Sequence, residues 1–295
     1  MSHGLSVAVV GAGNMGGAML ARLRELGWSV GVHDVDAQAQ SKAEALGAAP
    51  FGSTRQAARS LAPDGVLLIA VVDAAQTEAV LWSADGAGQE LHPGQTVMLC
   101  PTLGPQTVQD QAQRLAQRGV DCIDAPMSGG PCRARQGRMS LMVACPDAVW
   151  QRSQNLLNAL SQQVFRVGDR AGDGARTKLV NNLLAAVNLA GAAEALALSE
   201  RLGLDPMKTL SVIEASSGQS WIGSDRMRRA LADDLEPRAH VSLLAKDTGL
   251  AVSAADAVAY DPPLGRLARD LFAQAMANGW GQLDDAALLK LMRQR

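Results

Sequence analysis

A chain of 295 residues has room for about two average domains and for a substantial core. Hydrophobic residues make up 47% and charged residues 19%, which is too apolar for a disordered chain and too well mixed for a coiled coil. A formal net charge of -2 supplies no global positive field, so binding to nucleic acid or to an anionic membrane is disfavoured and small metabolites are the expected partners.

In chain order, short apolar runs alternate with helical patterns through the first hundred residues. They are Leu5–Val10, a helix from about Met15, Ser29–His33, a helix from Ala37, Val66–Val71, a helix from Ala74, and Thr96–Cys100. A helix at about Pro105–Arg118, a strand Asp121–Asp124, a tight turn at Gly129-Gly130-Pro131 and a run Ser140–Cys145 continue the series. Such alternation predicts βαβ units: an α/β Rossmann domain with a mostly parallel, doubly wound sheet. Beyond Gly168 the patterns are all of helical period, beginning with a long Ala-rich helix at about Ala175–Leu202. The expected organisation is therefore residues 1–168 as a nucleotide-binding domain and 169–295 as an all-helical domain.

Composition also narrows the chemistry. Tyr260 is the one tyrosine, and Leu264 stands where a Tyr-x-x-x-Lys pair would need lysine. The histidines His3, His33, His92 and His240 form no metal-binding helical pair, so no metal is expected. Cys100, Cys122, Cys132 and Cys145 are widely spaced and read as buried free thiols in a reducing compartment. There is no signal-peptide pattern at the start, and Val66–Val72 is far too short for a bilayer, so a cytoplasmic protein is expected.

Gly11, Gly13 and Gly16 form G-x-G-x-x-G, with Asn14 and Met15 inside it, directly after the first strand and opening a helix. Glycines there allow a tight turn, close approach of backbone to a pyrophosphate, and close packing of helix on strand. Asp34 ends the second strand, 18 residues past Gly16, where a carboxylate receives the adenosine ribose hydroxyls and repels a 2′-phosphate. NAD is expected rather than NADP. Asp34 as a cap for the next helix is the structural alternative, with Asp36 the second candidate for that cap.

Three more segments carry chemistry. Asp124-Ala-Pro-Met-Ser128-Gly129-Gly130 offers a hydroxyl and successive N–H groups as a nest for a carboxylate. Gly172-Asp-Gly174-Ala-Arg-Thr-Lys178-Leu-Val-Asn181-Asn182 opens the long helix and puts Lys178 and Asn182 on one face. Lys246-Asp247 lies in a later helix. With the glycine loop, these four ordered motifs resemble the β-hydroxyacid dehydrogenase family over essentially the whole chain. That family includes 3-hydroxyisobutyrate dehydrogenases, tartronate semialdehyde reductases and L-threonate dehydrogenases. The related 6-phosphogluconate dehydrogenases have a longer helical domain, and imine reductases typically lack the lysine.

The resemblance implies NAD-dependent hydride transfer at the β-carbon of a small 3-hydroxy acid, threonate-like or 3-hydroxyisobutyrate-like, with the active site between the domains. It makes Lys178 the general acid and base, and a desolvated lysine can take or return the hydroxyl proton. Ser128, Gly129 and Gly130 would hold the carboxylate, Asn182 and Lys246 would bind the substrate, and Thr102, Val71 and Val72 would approach the cofactor. Pro101 replaces the family's usual serine, and Val71-Val72-Asp73 departs from its usual Leu-Pro ending.

Ser217-Gly-Gln219-Ser220-Trp221 resembles a segment of members acting on polar sugar acids, with Trp221 against the substrate or in ordinary packing. Arg226, Arg228 and Arg229 read as a solvated helix face or a subunit contact, and Asp284-Asp285 as a terminal acidic segment near the cofactor or a cap of the last helix. The Ala-lined helix suggests a homodimer or homotetramer. The alternatives are a semialdehyde reductase and a non-catalytic NAD-binding sensor or scaffold.

Overall fold

The computed structural model describes residues 5–295, which leaves His3 outside the described part. The chain divides into two compact units, Met1–Lys178 and Leu179–Arg295.

The first unit runs β1 (Leu5–Val10), α1 (Asn14–Glu25), β2 (Val30–His33), α2 (Ala37–Ala45), β3 (Ala49–Pro50), α3 (Thr54–Arg59), β4 (Leu61–Ile69) and α4 (Ala74–Trp82). It continues with β5 (Thr96–Leu99), α5 (Pro105–Ala116), β6 (Asp121–Asp124), β7 (Met127–Ser128), α6 (Gly130–Arg135), β8 (Ser140–Ala144), α7 (Asp147–Leu160) and β9 (Gln163–Gly168). The strands form one sheet in the order β3-β2-β1-β4-β5-β6-β8-β7, with β9 beside β8. β1 to β6 run parallel, β8 is antiparallel to β6, and β9 returns parallel to β8.

Both faces of this sheet are covered, which is why Val7–Val10, Val66–Ile69 and Val97–Leu99 are buried and apolar at consecutive positions instead of alternating. Val7, Val9, Val66 and Leu68 face one core with Met19, Leu20 and Leu23 of α1 and Leu156, Leu157 and Leu160 of α7. Ala8, Val10, Leu67 and Ile69 face the other, with Ala57, Val80, Val108 and Leu115 of α3, α4 and α5. The strand order reverses between β1 and β4, and in such sheets ligands bind at the carboxyl ends of the strands beside that reversal.

Sequence patterning assigns nothing to β3, α3, α7 or β9. β3 and α3 are shorter than any periodicity can reveal. β9 is an edge strand with no fully buried residue, so it lacks a clean alternation. β4 begins at Leu61 rather than Val66 because pairing with β1 extends back through Pro63 and Gly65 across a register shift.

α8 (Asp173–Arg201) starts in the first unit and continues into the second, where α9 (Pro206–Glu214), α10 (Trp221–Leu231), α11 (Val241–Asp256), α12 (Pro263–Ala277) and α13 (Leu288–Arg293) follow. Leu189, Ala193 and Leu196 of α8 meet Met227, Leu244, Leu271 and Phe272 in this unit's core. α8 is long and apolar enough to cross a membrane by length and composition, but 44% of its most apolar window is buried inside the protein. Asp205 and Ser220 cap α9 and α10 with their side chains.

Of the four thiols expected to be buried, Cys100 and Cys145 are, Cys122 is half-buried, and Cys132 on α6 is exposed. All four are free.

Candidate active site

The glycine loop is built by steric requirement at two of its three positions. Gly11 has φ +88°, and a Cβ there would lie 2.7 Å from the Ala70 carbonyl oxygen. At Gly16 a Cβ would lie 1.8 Å from the Gly11 oxygen, so only glycine lets α1 start against the loop. Gly13 differs: a Cβ there would meet no atom within 4 Å. Its missing side chain leaves space open to a ligand rather than to the protein. Gly13 is also the N-cap of α1 and no side chain caps that helix, so its first-turn N–H groups face the same open side. Asn14 is exposed beside them, and Met15 packs its side chain into the core.

Asp34 follows β2 and does not cap α2. Asp36 does, accepting from the Gln38 N–H at 2.9 Å. The Asp34 carboxylate instead accepts from the Ala12 N–H of the glycine loop and, through its other oxygen, from the Asp36 N–H at 2.8 Å. It therefore braces the loop from the adjacent strand end. Open cradle, uncapped helix start and acidic strand end together fit a dinucleotide, and these are the residues that would hold one.

Parallel pairing brings the segments after β4 and β5 to the same edge of the sheet, and a third predicted segment follows β6 through β7, which pairs antiparallel with β8. Val71 is half-buried after β4, Val72 is exposed with its N–H donated to Gln76 Oε1 at 2.9 Å, and Thr102 is half-buried after β5. Ser128 ends β7 half-buried, and Gly129 and Gly130 follow with φ +129° and +75°. Two successive left-handed residues turn the backbone sharply there, and a Cβ on Gly130 would meet nothing within 4 Å.

Asp124 ends β6, 1% exposed, and points at the start of α8. Its Oδ2 accepts from the Gly172 N–H at 2.8 Å and the Ala175 N–H at 3.0 Å. Burial pushes its carboxyl up to about 6 even against those N–H donors. Lys178 lies on the next turn of α8, 7% exposed, which is rare for a lysine.

In the second unit Asn182, 7% exposed, donates from Nδ2 to Asp247 Oδ2 at 2.6 Å, while its Oδ1 accepts from Asn181 Nδ2 at 3.0 Å. A carboxylate only accepts, so Asp247 fixes which way the Asn182 amide points. Asp247 also pairs with Lys246 Nζ at 3.1 Å. One buried carboxylate thus holds both predicted substrate residues of this unit, a role that the Lys-Asp pair in the sequence does not reveal.

Trp221 is half exposed at the start of α10, its ring 5.9 Å from the Arg226 guanidinium carbon. Arg226 and Arg229 are not a solvated face. Arg229 is buried and bonds Asp284 at 2.8 Å, and Arg226 pairs with Asp285 and Asp225. Only Arg228 lies at the surface, paired with Glu214. Asp284 caps the short turn before α13, accepting from Ala286 N at 3.0 Å, and also accepts from Arg238 N at 2.8 Å. Burial raises Asp284, but Arg229 and the N–H groups outweigh it and hold the carboxyl below its usual range. Burial carries Asp285 up to about 7 despite Arg226. Among the described residues no group of three or more His, Cys, Asp or Glu is placed to hold a metal ion.

Residues 6–168 match the family model for the NAD binding domain of 6-phosphogluconate dehydrogenase, and residues 172–292 match that for the NAD-binding domain of NADP-dependent 3-hydroxyisobutyrate dehydrogenase. An L-threonate dehydrogenase of Cupriavidus necator is 34% identical over 97% of this chain and 95% of its own length. A 3-hydroxyisobutyrate dehydrogenase of Pseudomonas aeruginosa is 35% identical over 97% of this chain and 98% of its own. A solved structure, described as a 3-hydroxyisobutyrate dehydrogenase from Salmonella typhimurium, superposes with a TM-score of 0.90 at 34% identity, covering 97% of this chain and 99% of that one.

Proposed function

This chain belongs to the β-hydroxyacid dehydrogenase family and is an NAD(P)-binding oxidoreductase of CH–OH groups, and from that premise we propose an NAD-preferring dehydrogenase of small, polar 3-hydroxy acids with Lys178 as general acid and base. The observation that carries the reading is the burial of Lys178 in the early turns of α8, inside the motif that singles it out. A lysine withdrawn from solvent is of little use to solubility and is placed to exchange a proton with a bound hydroxyl.

The dinucleotide, when bound, supplies the hydride acceptor for the β-carbon. The first-turn N–H groups of α1 and the open side of Gly13 would hold its pyrophosphate, and Asp34 its adenosine ribose. The Lys178 amine takes the hydroxyl proton during oxidation and returns it during reduction. Ser128 Oγ and the Gly129 and Gly130 N–H groups hold the substrate carboxylate. Asn182, its amide set by Asp247, keeps one N–H free to bond a substrate oxygen, and Lys246 adds positive charge for the acid.

A threonate-like substrate is supported by the L-threonate dehydrogenase relative and by Ser217 and Gln219, which are exposed polar groups just ahead of Trp221. The 3-hydroxyisobutyrate reading is favoured instead by the P. aeruginosa relative and the S. typhimurium structure. NAD reduction measured across threonate, glycerate, 3-hydroxyisobutyrate and 3-hydroxypropionate separates them. The polar reading requires kcat/KM for threonate to exceed that for 3-hydroxyisobutyrate, and no turnover of any of the four would sink the enzyme assignment. On the cofactor, Asp34 should favour NAD over NADP at least tenfold in kcat/KM by repelling a 2′-phosphate; equal use of the two would remove that role. The family model's NADP-dependent description makes this the sharper of the two tests.

We further propose a cytoplasmic homodimer or homotetramer. Val180, Leu184 and Leu198 of α8 are more than half exposed and share one stripe with Gly191 and Ala195, an apolar surface that a second copy would cover. A monomeric mass by light scattering would overturn it.

A further inference from the structure

We propose that Asp124 is a positioning residue for the reaction: its buried carboxylate clamps the first turn of α8 to the end of β6 and so fixes where Lys178 presents its amine. The proposal rests on the reading of Lys178 given above.

Helix starts are ordinarily capped by a neighbour in sequence, as Asp36, Ser53 and Asp73 do for α2, α3 and α4. α8 is held by a residue 48 to 51 positions away. β6 itself is fixed by pairing Asp124 with Leu99 on one side and Ala144 on the other, so the clamp ties the helix to the interior of the sheet. Both N–H bonds converge on the same oxygen, Oδ2, from Gly172 and Ala175. The chain is shaped to let this happen. Gly172 takes φ +98°, and at Gly174 a Cβ would lie 2.8 Å from Asp124 Cγ and 2.8 Å from the Met142 carbonyl oxygen. The two glycines of G-x-G-x-x-x-K thereby acquire a reason: one turns the chain, the other lets the helix settle on the carboxylate. From Ala175 to Lys178 is about 4.5 Å of helix at ~1.5 Å per residue, so tilt at the clamp is transmitted almost undamped to the lysine.

The clamp is a poor choice if stability alone were at stake. No ion pair offsets the charge of Asp124 among the described residues, and the groups facing it are Asp173 from α8 and the thiols Cys100 after β5 and Cys122 on β6. Its ionised form above pH 6 therefore weighs against folding, while charge-assisted bonds hold the turn more tightly than neutral ones. Asparagine removes the charge and keeps one oxygen for the Gly172 and Ala175 N–H groups, but replaces the other oxygen with an amide donor at the helix start.

The test compares Asp124→Asn, Asp124→Ala and Lys178→Ala in the full-length enzyme. It measures kcat, KM for NAD, melting temperature at pH 8, and amide hydrogen exchange over residues 172–178. The expected result for Asp124→Asn is a loss of at least tenfold in kcat, KM for NAD within twofold, a melting temperature no lower than wild type, and faster exchange over 172–178. Asp124→Ala should lose more kcat with the same unchanged KM for NAD. Wild-type kcat in Asp124→Asn overturns the proposal, as does a kcat loss that merely tracks lost stability. Turnover surviving in Lys178→Ala would sink the lysine reading alone, because the exchange over 172–178 still shows whether the clamp holds the turn.

Discussion

The two units make polar sites by opposite means. In the first, main-chain N–H groups stand open at the start of α1 and after Ser128, or turn to Asp124 at the start of α8, because glycine stands at Gly13, Gly130 and Gly174, and few side chains beside Asp34, Ser128 and Lys178 join them. In the second they are side chains held by other side chains: Asn182 and Lys246 by Asp247, Arg229 by Asp284, Arg226 by Asp285. A main-chain site keeps its shape whenever the fold is intact and fails when a Cβ enters. A side-chain site tolerates added volume better but fails when one partner is lost.

Substitutions should respect that division. Lys178→Ala is expected to have the largest effect, lowering kcat by about 10²–10⁴-fold with NAD affinity changed by less than about twofold; isothermal titration with NAD and steady-state rates check both halves. Arg229→Ala strands a fully buried carboxylate, and urea unfolding should show a loss of about 3 kcal/mol or more.

Asp124 supplies a pH dependence of unusual sign. Its folded pKa of about 6 lies above its ordinary 3.8, so the folded chain holds a proton that the unfolded chain has released between those values. Stability from this group is complete below about pH 4 and is lost as pH rises through 6, by about 3 kcal/mol. Wild type minus Asp124→Asn, measured from pH 4 to 8, should show that decline. Gly13→Ala should leave the melting temperature of the free protein within about 1 °C, since nothing crowds the new methyl group, yet weaken NAD binding at least ~10-fold. Were it instead to unfold the protein, the open side of the loop would not be the ligand's. Asp247→Asn, the mildest, should raise KM for the hydroxy acid about tenfold and leave KM for NAD unchanged.

The same contrast explains what was legible beforehand. Gly11, Gly13, Gly16, Ser128, Gly129 and Gly130 announce themselves because backbone conformation is a local property, and a few consecutive residues suffice to state it. Arg226 and Arg229 read as a solvated face or a subunit contact because charge on a helix means surface unless a partner is known, and Asp285 and Asp284 lie 59 and 55 residues further on. The carboxylates suffered similarly. Asp124 and Asp247 sit inside recognisable motifs, but their partners are 48 and 65 residues away. β9 and α3 were missed for another reason, being too exposed or too short to carry a hydrophobic period.

α8 begins in the first unit and ends in the second, and this sets an order of events during synthesis. Ala175 fills part of the core behind Val10 and Ile69, and the two N–H groups that occupy Asp124 come from Gly172 and Ala175. A nascent chain cut at Gly168 has the whole sheet but an open hole beside β6 and a bare carboxylate within it. Such a fragment should bind a hydrophobic dye and unfold at lower urea than one ending at Leu202, whose helix can close the gap. The first unit is thus complete only once the opening turn of α8 is in place, and Lys178 arrives in the same few residues that complete it.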